Sequence, residues 1–232
     1  MEAVLREHPE FKLLGKTKFV QTLSQHGVPR DEARRYHEAR ELGQMYAPKK
    51  RKGELQITAP PFSFQIDVFE LTRYKKSNAG VYRCFLAVDI LSRKAFAYPL
   101  KDGRMSTVLG VYEQFMIDVG EPVNSVAGDA FFDNKAFRTF NETLMVAVYT
   151  DVAKDDHITA QGNKLGIVDR ATRTLKRYIE KWMLEHDTTK WTSFLPKVLD
   201  LYNGTPHSTH PGDTSPDEVF ADIDYMRALY KG

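Results

Sequence analysis

The sequence predicts a mixed α/β fold. Three observations predict it: three strand-like segments between residues 63 and 100, an alternation of helical and strand patterns from 106 to 149, and two helical stretches between about 164 and 202. With 232 residues, the chain has room for one sizeable domain and a small accessory piece. Hydrophobic residues at 42% and charged residues at 28% are ordinary for a water-soluble globular protein.

Residues 1–47 read as helical. Phe19, Val20 and Leu23 recur at helical spacing up to Gly27, and Pro29-Arg30-Asp31-Glu32 resembles the first turn of a second helix running to about Tyr46. Helix, glycine turn, helix suits either a DNA-reading helix-turn-helix or a hairpin that only packs or assembles. Residues 48–61 read as a linker, opening on the basic run Lys49, Lys50, Arg51 and Lys52 and closing on Ala59-Pro60-Pro61. The basic run suits phosphate contact, a nuclear import signal or plain solvation.

Residues 63–69 alternate and are rich in aromatic and β-branched side chains, as a strand requires. Ser77-Asn78-Ala79-Gly80 is turn chemistry, and residues 82–89 and 94–100 complete a three-strand meander. Val108, Leu109, Tyr112, Phe115 and Met116 form the apolar stripe of a helix over 106–119. A short strand over 123–127 ends at Gly128-Asp129. A helix is expected from Lys135 to Thr143 and a strand from Leu144 to Tyr149. Residues 150–164 are polar and read as a loop. Leu165, Val168, Leu175, Ile179, Trp182 and Met183 mark the buried side of a long helix from about Lys164 to His186. A further helix covers about Thr192 to Tyr202, and the segment from Asn203 to Asp217 is turn-rich.

Several function classes are excluded or disfavoured. Cys84 is the only cysteine, so neither an intrachain disulfide nor a cysteine-based zinc site is available. No apolar run is long enough to span a bilayer, and Met1 to His8 lack a signal-peptide core. These features lead us to expect an intracellular protein, neither secreted nor membrane-bound. A net charge of +2 is weak evidence for a polyanionic partner, but basic residues cluster at 49–52 and 170–181.

Four segments together resemble the integrase core of retroviruses and retrotransposons, and most closely the integrases of Maverick/Polinton elements, virophages and large DNA viruses. They are Phe64-Gln65-Ile66-Asp67-Val68 with the meander to Leu100; Gly128-Asp129 with Asn134-Lys135-Ala136-Phe137; Gly166-Ile167-Val168-Asp169-Arg170 through Lys176; and Tyr202-Asn203 with His207 and Ser215-Pro216. The resemblance covers about residues 45–220. It implies an RNase H-like core, with a mixed five-stranded sheet flanked by helices, over residues 62–222, followed by a C-terminal tail over 223–232. The His/Cys zinc module usual at the start of retroviral integrases is not present in this sequence.

Phosphodiester hydrolysis and strand transfer need in-line attack at phosphorus. Two divalent cations about 3.5–4 Å apart activate the attacking oxygen and stabilise the leaving one. The resemblance implies that Asp67, Asp129 and Asp169 are the catalytic carboxylates and hold two Mg²⁺ or Mn²⁺ ions. Asp67 also stands out by itself, because a carboxylate inside a run of Phe, Ile and Val is costly unless paired or metal-bound. A strand-end pairing with a lysine would explain Asp67 otherwise, turn chemistry would explain Asp129, and an ion pair with Arg173 would explain Asp169.

Two departures from the family pattern stand out. Asp169 replaces the family's Glu and is shorter by up to ~1.5 Å of chain reach, which leaves Asp155 and Asp156 as substitute ligands. Ala130 and Phe131 replace a small, glycine-containing turn, so Phe131 or Phe132 is expected to plug the core or the mouth of the site. Arg170, Arg173, Lys176 and Arg177, with Lys181, form the expected DNA-facing surface, together with Lys49, Lys50, Arg51 and Lys52. Such phosphate contacts position DNA without reading its sequence. A solvated helix face balanced by Glu180 and Glu185 is the bland alternative. His157 is read as a solvated loop residue and His207 as a local hydrogen-bonding residue.

The function implied by the resemblance is a DNA integrase that trims and joins the 3′ ends of viral or transposable-element DNA. It would act as a homo-oligomer, in a host nucleus, viral factory or virion. The competing expectations are a catalytically degenerate DNA-binding or virion structural protein of the same fold, and a nuclease without strand transfer.

Overall fold

The computed structural model describes residues 1–40, 58–150 and 165–231. The basic run Lys49, Lys50, Arg51 and Lys52 therefore lies outside the described residues. So do the expected helix end near Tyr46 and the loop residues Asp155, Asp156 and His157.

Five strands form one mixed sheet: β1 (Ser63–Glu70), β2 (Arg83–Asp89), β3 (Ala95–Leu100), β4 (Ser125–Gly128) and β5 (Ala147–Thr150). Their order is β3-β2-β1-β4-β5, so β1 is the central strand. The meander is antiparallel, while β4 and β5 join parallel to β1 through helical crossovers. This is the expected RNase H-like core.

Strand alternation sends the two faces of the sheet to two different cores. Phe64, Ile66, Phe85 and Ala87 pack with α4 (Met105–Val119) and α5 (Lys135–Thr143). Phe69, Cys84, Leu86 and Val88 pack with α6 (Gly166–Glu185) and α7 (Leu195–Gly204). The Tyr-Asn pair that ends the family pattern is structural here. Tyr202 is buried, and the Asn203 amide both accepts from Ala95 N (2.8 Å) and donates to Ala95 O (2.9 Å), fastening α7 to the edge strand β3.

The N-terminal segment forms α1 (Glu2–Glu7), α2 (Lys16–Gln25) and α3 (Arg30–Ala39). Leu13, Leu14, Phe19 and Leu23 belong to the same core as α6 and α7, so these helices extend that core. Lys181 is only 3% exposed and donates to Leu13 O at 3.1 Å, which corrects its assignment to the DNA-facing surface.

Two expectations shift in detail. Residues Leu144 to Val146 do not begin β5, because Met145 takes φ 58° in a left-handed turn before Ala147. Beyond α8 (Pro216–Ala221), α9 (Ile223–Lys231) occupies the expected tail, with Met226 fully buried against the α4 side.

Candidate active site

The site is built from one alternation in β1. Phe64 and Ile66 point into the α4 core, so Gln65 and Asp67 face the α6 side. Gln65 is 1% exposed, and its Oε1 accepts from the backbone N–H groups of Ile167 (3.0 Å) and Val168 (3.1 Å). Those are donors of the first turn of α6, where Leu165 at the N-cap supplies no side-chain bond. A strand glutamine thus caps a helix about 100 residues further along the chain, and seats its start beside Asp67.

Asp67 is half-buried, opposite Leu86 of β2. Thr172, one turn into α6, donates to Asp67 Oδ2 at 3.1 Å. Burial pushes the Asp67 carboxyl above the usual carboxylate range. The Thr172 and Val68 hydrogen bonds oppose that rise, and the charges of Asp129 and Asp169 add to it. The three carboxylates named from the sequence therefore meet in one electrostatic neighbourhood.

Asp129 reaches that neighbourhood through strand register. β4 pairs parallel to β1 with Ser63 opposite Ser125 and Gln65 opposite Ala127, and continuing the register brings Asp129 level with Asp67. Its side chain accepts from Phe131 N at 3.1 Å and caps the short turn Ala130–Phe132. That turn places Phe132 in the core at 0% exposure and leaves Phe131 at 37%, so the adjacent phenylalanines divide the two expected roles. Phe131 lines a cleft of about 220 Å³ with Val68, Glu70, Arg83 and Asp129. Gly128 is required by close approach: a Cβ there would stand 2.5 Å from Phe132 Cδ2 and 3.1 Å from Ile66 Cγ1.

Asp169 lies in the first turn of α6. Arg173 Nε donates to the Asp169 backbone carbonyl at 3.1 Å. The basic residues of α6 do not share one face. Lys176 Nζ sits 5.4 Å from the Phe69 ring centre, on the β1 side. Arg170, Arg173 and Arg177 line a separate cavity with Lys16 and Lys18. His207 hydrogen-bonds locally, with Nδ1 2.8 Å from Thr209 Oγ1.

Three carboxylates offer the hard oxygen donors that a magnesium-type cation takes. Their chemistry fits such an ion, but the cluster is open. Among the described residues, no three His, Cys, Asp or Glu side chains are gathered closely enough to hold a metal. Asp129 is turned onto Phe131 N and Asp67 onto Thr172. Sequence reasoning missed Gln65 and Thr172, since a polar strand residue carries no signal of a helix start far downstream.

Solved structures share this architecture. The chain superposes on the simian T-cell lymphotropic virus intasome in complex with PP2A regulatory subunit B56 gamma. The match has TM-score 0.58 and 16% identity, over 90% of this chain and 71% of that one. The catalytic core domain of BIV integrase matches at TM-score 0.55 and 16% identity, over 72% of this chain and 99% of that one. The HTLV-2 integrase catalytic core domain in complex with magnesium, a dimeric form, matches at TM-score 0.54 and 15% identity, over 71% of this chain and 99% of that one. The chain thus has the fold of a retroviral integrase catalytic core. A putative uncharacterised transposon-derived protein of Caenorhabditis elegans is 27% identical over 143 residues, covering 61% of this chain and 46% of that protein. The chain spans about half the length of that curated relative. No protein-family profile matches the chain. Among the described residues, no helix is long and apolar enough to cross a membrane.

Proposed function

We propose that the chain is a metal-dependent DNA integrase that processes 3′ ends and joins them to target DNA. One observation carries this reading. Asp67 is a half-buried carboxylate on the central strand of an integrase-type sheet, and it feels the charges of Asp129 and Asp169. A buried charge held near two like charges is costly, and a bound cation turns that cost into affinity.

Two Mg²⁺ or Mn²⁺ ions, when bound, would polarise the phosphodiester and activate the attacking hydroxyl. Asp67, Asp129 and Asp169 are the ligands we assign to them. Thr172 orients Asp67, and Gln65 fixes the start of α6 and so the placement of Asp169. Lys176, on the β1 side, would position the DNA backbone beside the carboxylates. The integrase neighbours and the transposon-derived relative favour element or viral DNA as the substrate and a homo-oligomer as the acting form. Kinship to Maverick/Polinton and large-DNA-virus integrases is part of the same proposal, as is a place in a host nucleus, viral factory or virion.

A second reading is a catalytically degenerate DNA-binding or virion structural protein of this fold. The open carboxylate cluster and the short Asp169 favour it. Strand transfer on element-end oligonucleotides with Mg²⁺ or Mn²⁺ separates the two. Joined product that disappears in Asp67→Asn supports the integrase. An inactive native chain supports the second reading, and activity created by Asp169→Glu would mark that residue as the point of decay.

A further inference from the structure

A cavity of about 480 Å³ lies outside the carboxylate site, between the start of α2, the outer face of α6 and the turn His207 to Thr209. That volume lies within the range of ligand pockets, ~300–1,000 Å³. Lys18, Arg93, Arg170, Arg173 and Arg177 line it, and among the described residues its lining holds no carboxylate. The cations come from three separate parts of the chain, so their convergence is a product of the fold.

Two of them carry buried donors with nothing to bond. Arg93 Nη1 and Arg177 Nε have no hydrogen-bond partner among the described residues. A buried guanidinium N–H left unsatisfied is costly, and a bound anion is one partner that removes the cost. α2 adds further donors. Its N-cap, Gly15, has no side chain to cap the turn, and Phe19 is the first residue whose N–H closes back onto Gly15 O. The N–H groups of Lys16, Thr17 and Lys18 thus open the helix at the positive end of its dipole. Thr174, Thr17 and Ser208 supply hydroxyls on the same walls.

Charge crowding agrees with the geometry. Burial and then Arg177 push the Lys18 ammonium down to about 8. Burial and then Lys18, Arg93, His210 and Arg170 push His207 down to about 3, so it stays neutral. Nearby acids are engaged at the margins. Asp89 lies by Arg93 and accepts through Oδ1 from Leu91, Ser92 and the Ser92 hydroxyl, its Oδ2 having no partner among the described residues, and Glu38 pairs with Lys16. None of the three carboxylates is among the residues that line the cavity. On α6, Val168 and Thr172 turn to Gln65 and Asp67, whereas Arg170, Thr174 and Arg177 repeat along another face.

We propose that this cavity is a phosphate-binding site, taking either a phosphodiester of a DNA strand or a free oligophosphate. Its lining includes none of the three carboxylates, and at its edge Arg173 also donates to the Asp169 backbone carbonyl. A neighbouring cavity lined by Lys16, Arg30 and Arg34 continues the basic track along α2 and α3. Bound phosphate would satisfy Arg93 Nη1 and Arg177 Nε and restore the charge on Lys18.

The test is done on the full chain in EDTA, which removes the metal site from the readout. Tripolyphosphate is titrated by calorimetry at pH 8 in two buffers of different ionisation enthalpy. Binding with proton uptake is expected, weakened at least about tenfold in Lys18→Met and in Arg173→Gln, and unchanged in Asp67→Asn. Circular dichroism checks that each variant is folded. Duplex DNA that displaces tripolyphosphate identifies a DNA backbone as the source, and each lost phosphate contact then makes the salt slope shallower by about 0.9. Displacement by free phosphate but not by DNA identifies a small oligophosphate. Absence of binding by the wild type, or equal binding by folded Lys18→Met and Arg173→Gln, overturns the proposal.

Discussion

At the scale of single residues, Asp67 carries the most weight in the proposed function and pays for it in stability. Its folded pKa is raised, so the folded chain holds that proton more tightly than the unfolded chain does. Stability therefore falls as pH rises from the ordinary carboxylate pKa through the raised one. Metal-free Asp67→Asn is expected to melt higher than wild type at neutral pH while losing activity, as measured by differential scanning calorimetry beside the joining assay. Asp89 offers a separate check of the same linkage. It is fully buried, and burial pushes it up to about 6 despite its bonds from Ser92 and Leu91. Asp89's own contribution to wild-type stability, opposed over this range by His207, should decline between about pH 4 and 6 by on the order of 3 kcal/mol. Asp89→Asn, which keeps the accepting oxygen, should flatten that decline in urea titrations across the range. Gly128 is decided by space alone. Gly128→Ala drives Phe132 from the core and should cost about 1–3 kcal/mol in denaturant unfolding, with loss of activity because the turn bearing Asp129 moves.

At the scale of elements, the contact between β1 and α6 makes the site. Gln65→Leu leaves two first-turn N–H groups of α6 without their buried acceptor, at a cost of about 1–3 kcal/mol. Its effect on catalysis should exceed that of an equally destabilising change in α4, measured as joining rate against urea midpoint. Elements were legible in the sequence to different depths for physical reasons. Alternation over 63–69 and the α6 stripe are local patterns, and both are seen in the structure. β5 begins at Ala147 because Met145 adopts a left-handed turn that an apolar Leu-Met-Val run does not announce. Asp67 was legible because a charge inside an apolar strand is anomalous by itself. Gln65, Thr172 and the Lys18 cavity were not, because each depends on a partner brought in by the fold from far along the chain. The division of the α6 cations between two faces likewise needed the packing of α2 against α6.

At the scale of the whole molecule, the N-terminal helices and the sheet share a core. Leu13, Leu14, Phe19 and Leu23 are buried with α6 and α7, and Arg40 reaches Glu185 at 2.7 Å. A chain beginning after residue 40 should therefore lose cooperative unfolding or aggregate, by calorimetry and light scattering. An unchanged melting profile would mean that these helices are a detachable module. The most direct measurement of the central claim is anomalous diffraction from crystals of the full chain soaked in Mn²⁺, collected near the manganese edge. Ordered manganese is expected against Asp67, shared with Asp129 or Asp169 and absent from Asp67→Asn crystals. Well-ordered carboxylates with no anomalous density between them would contradict it.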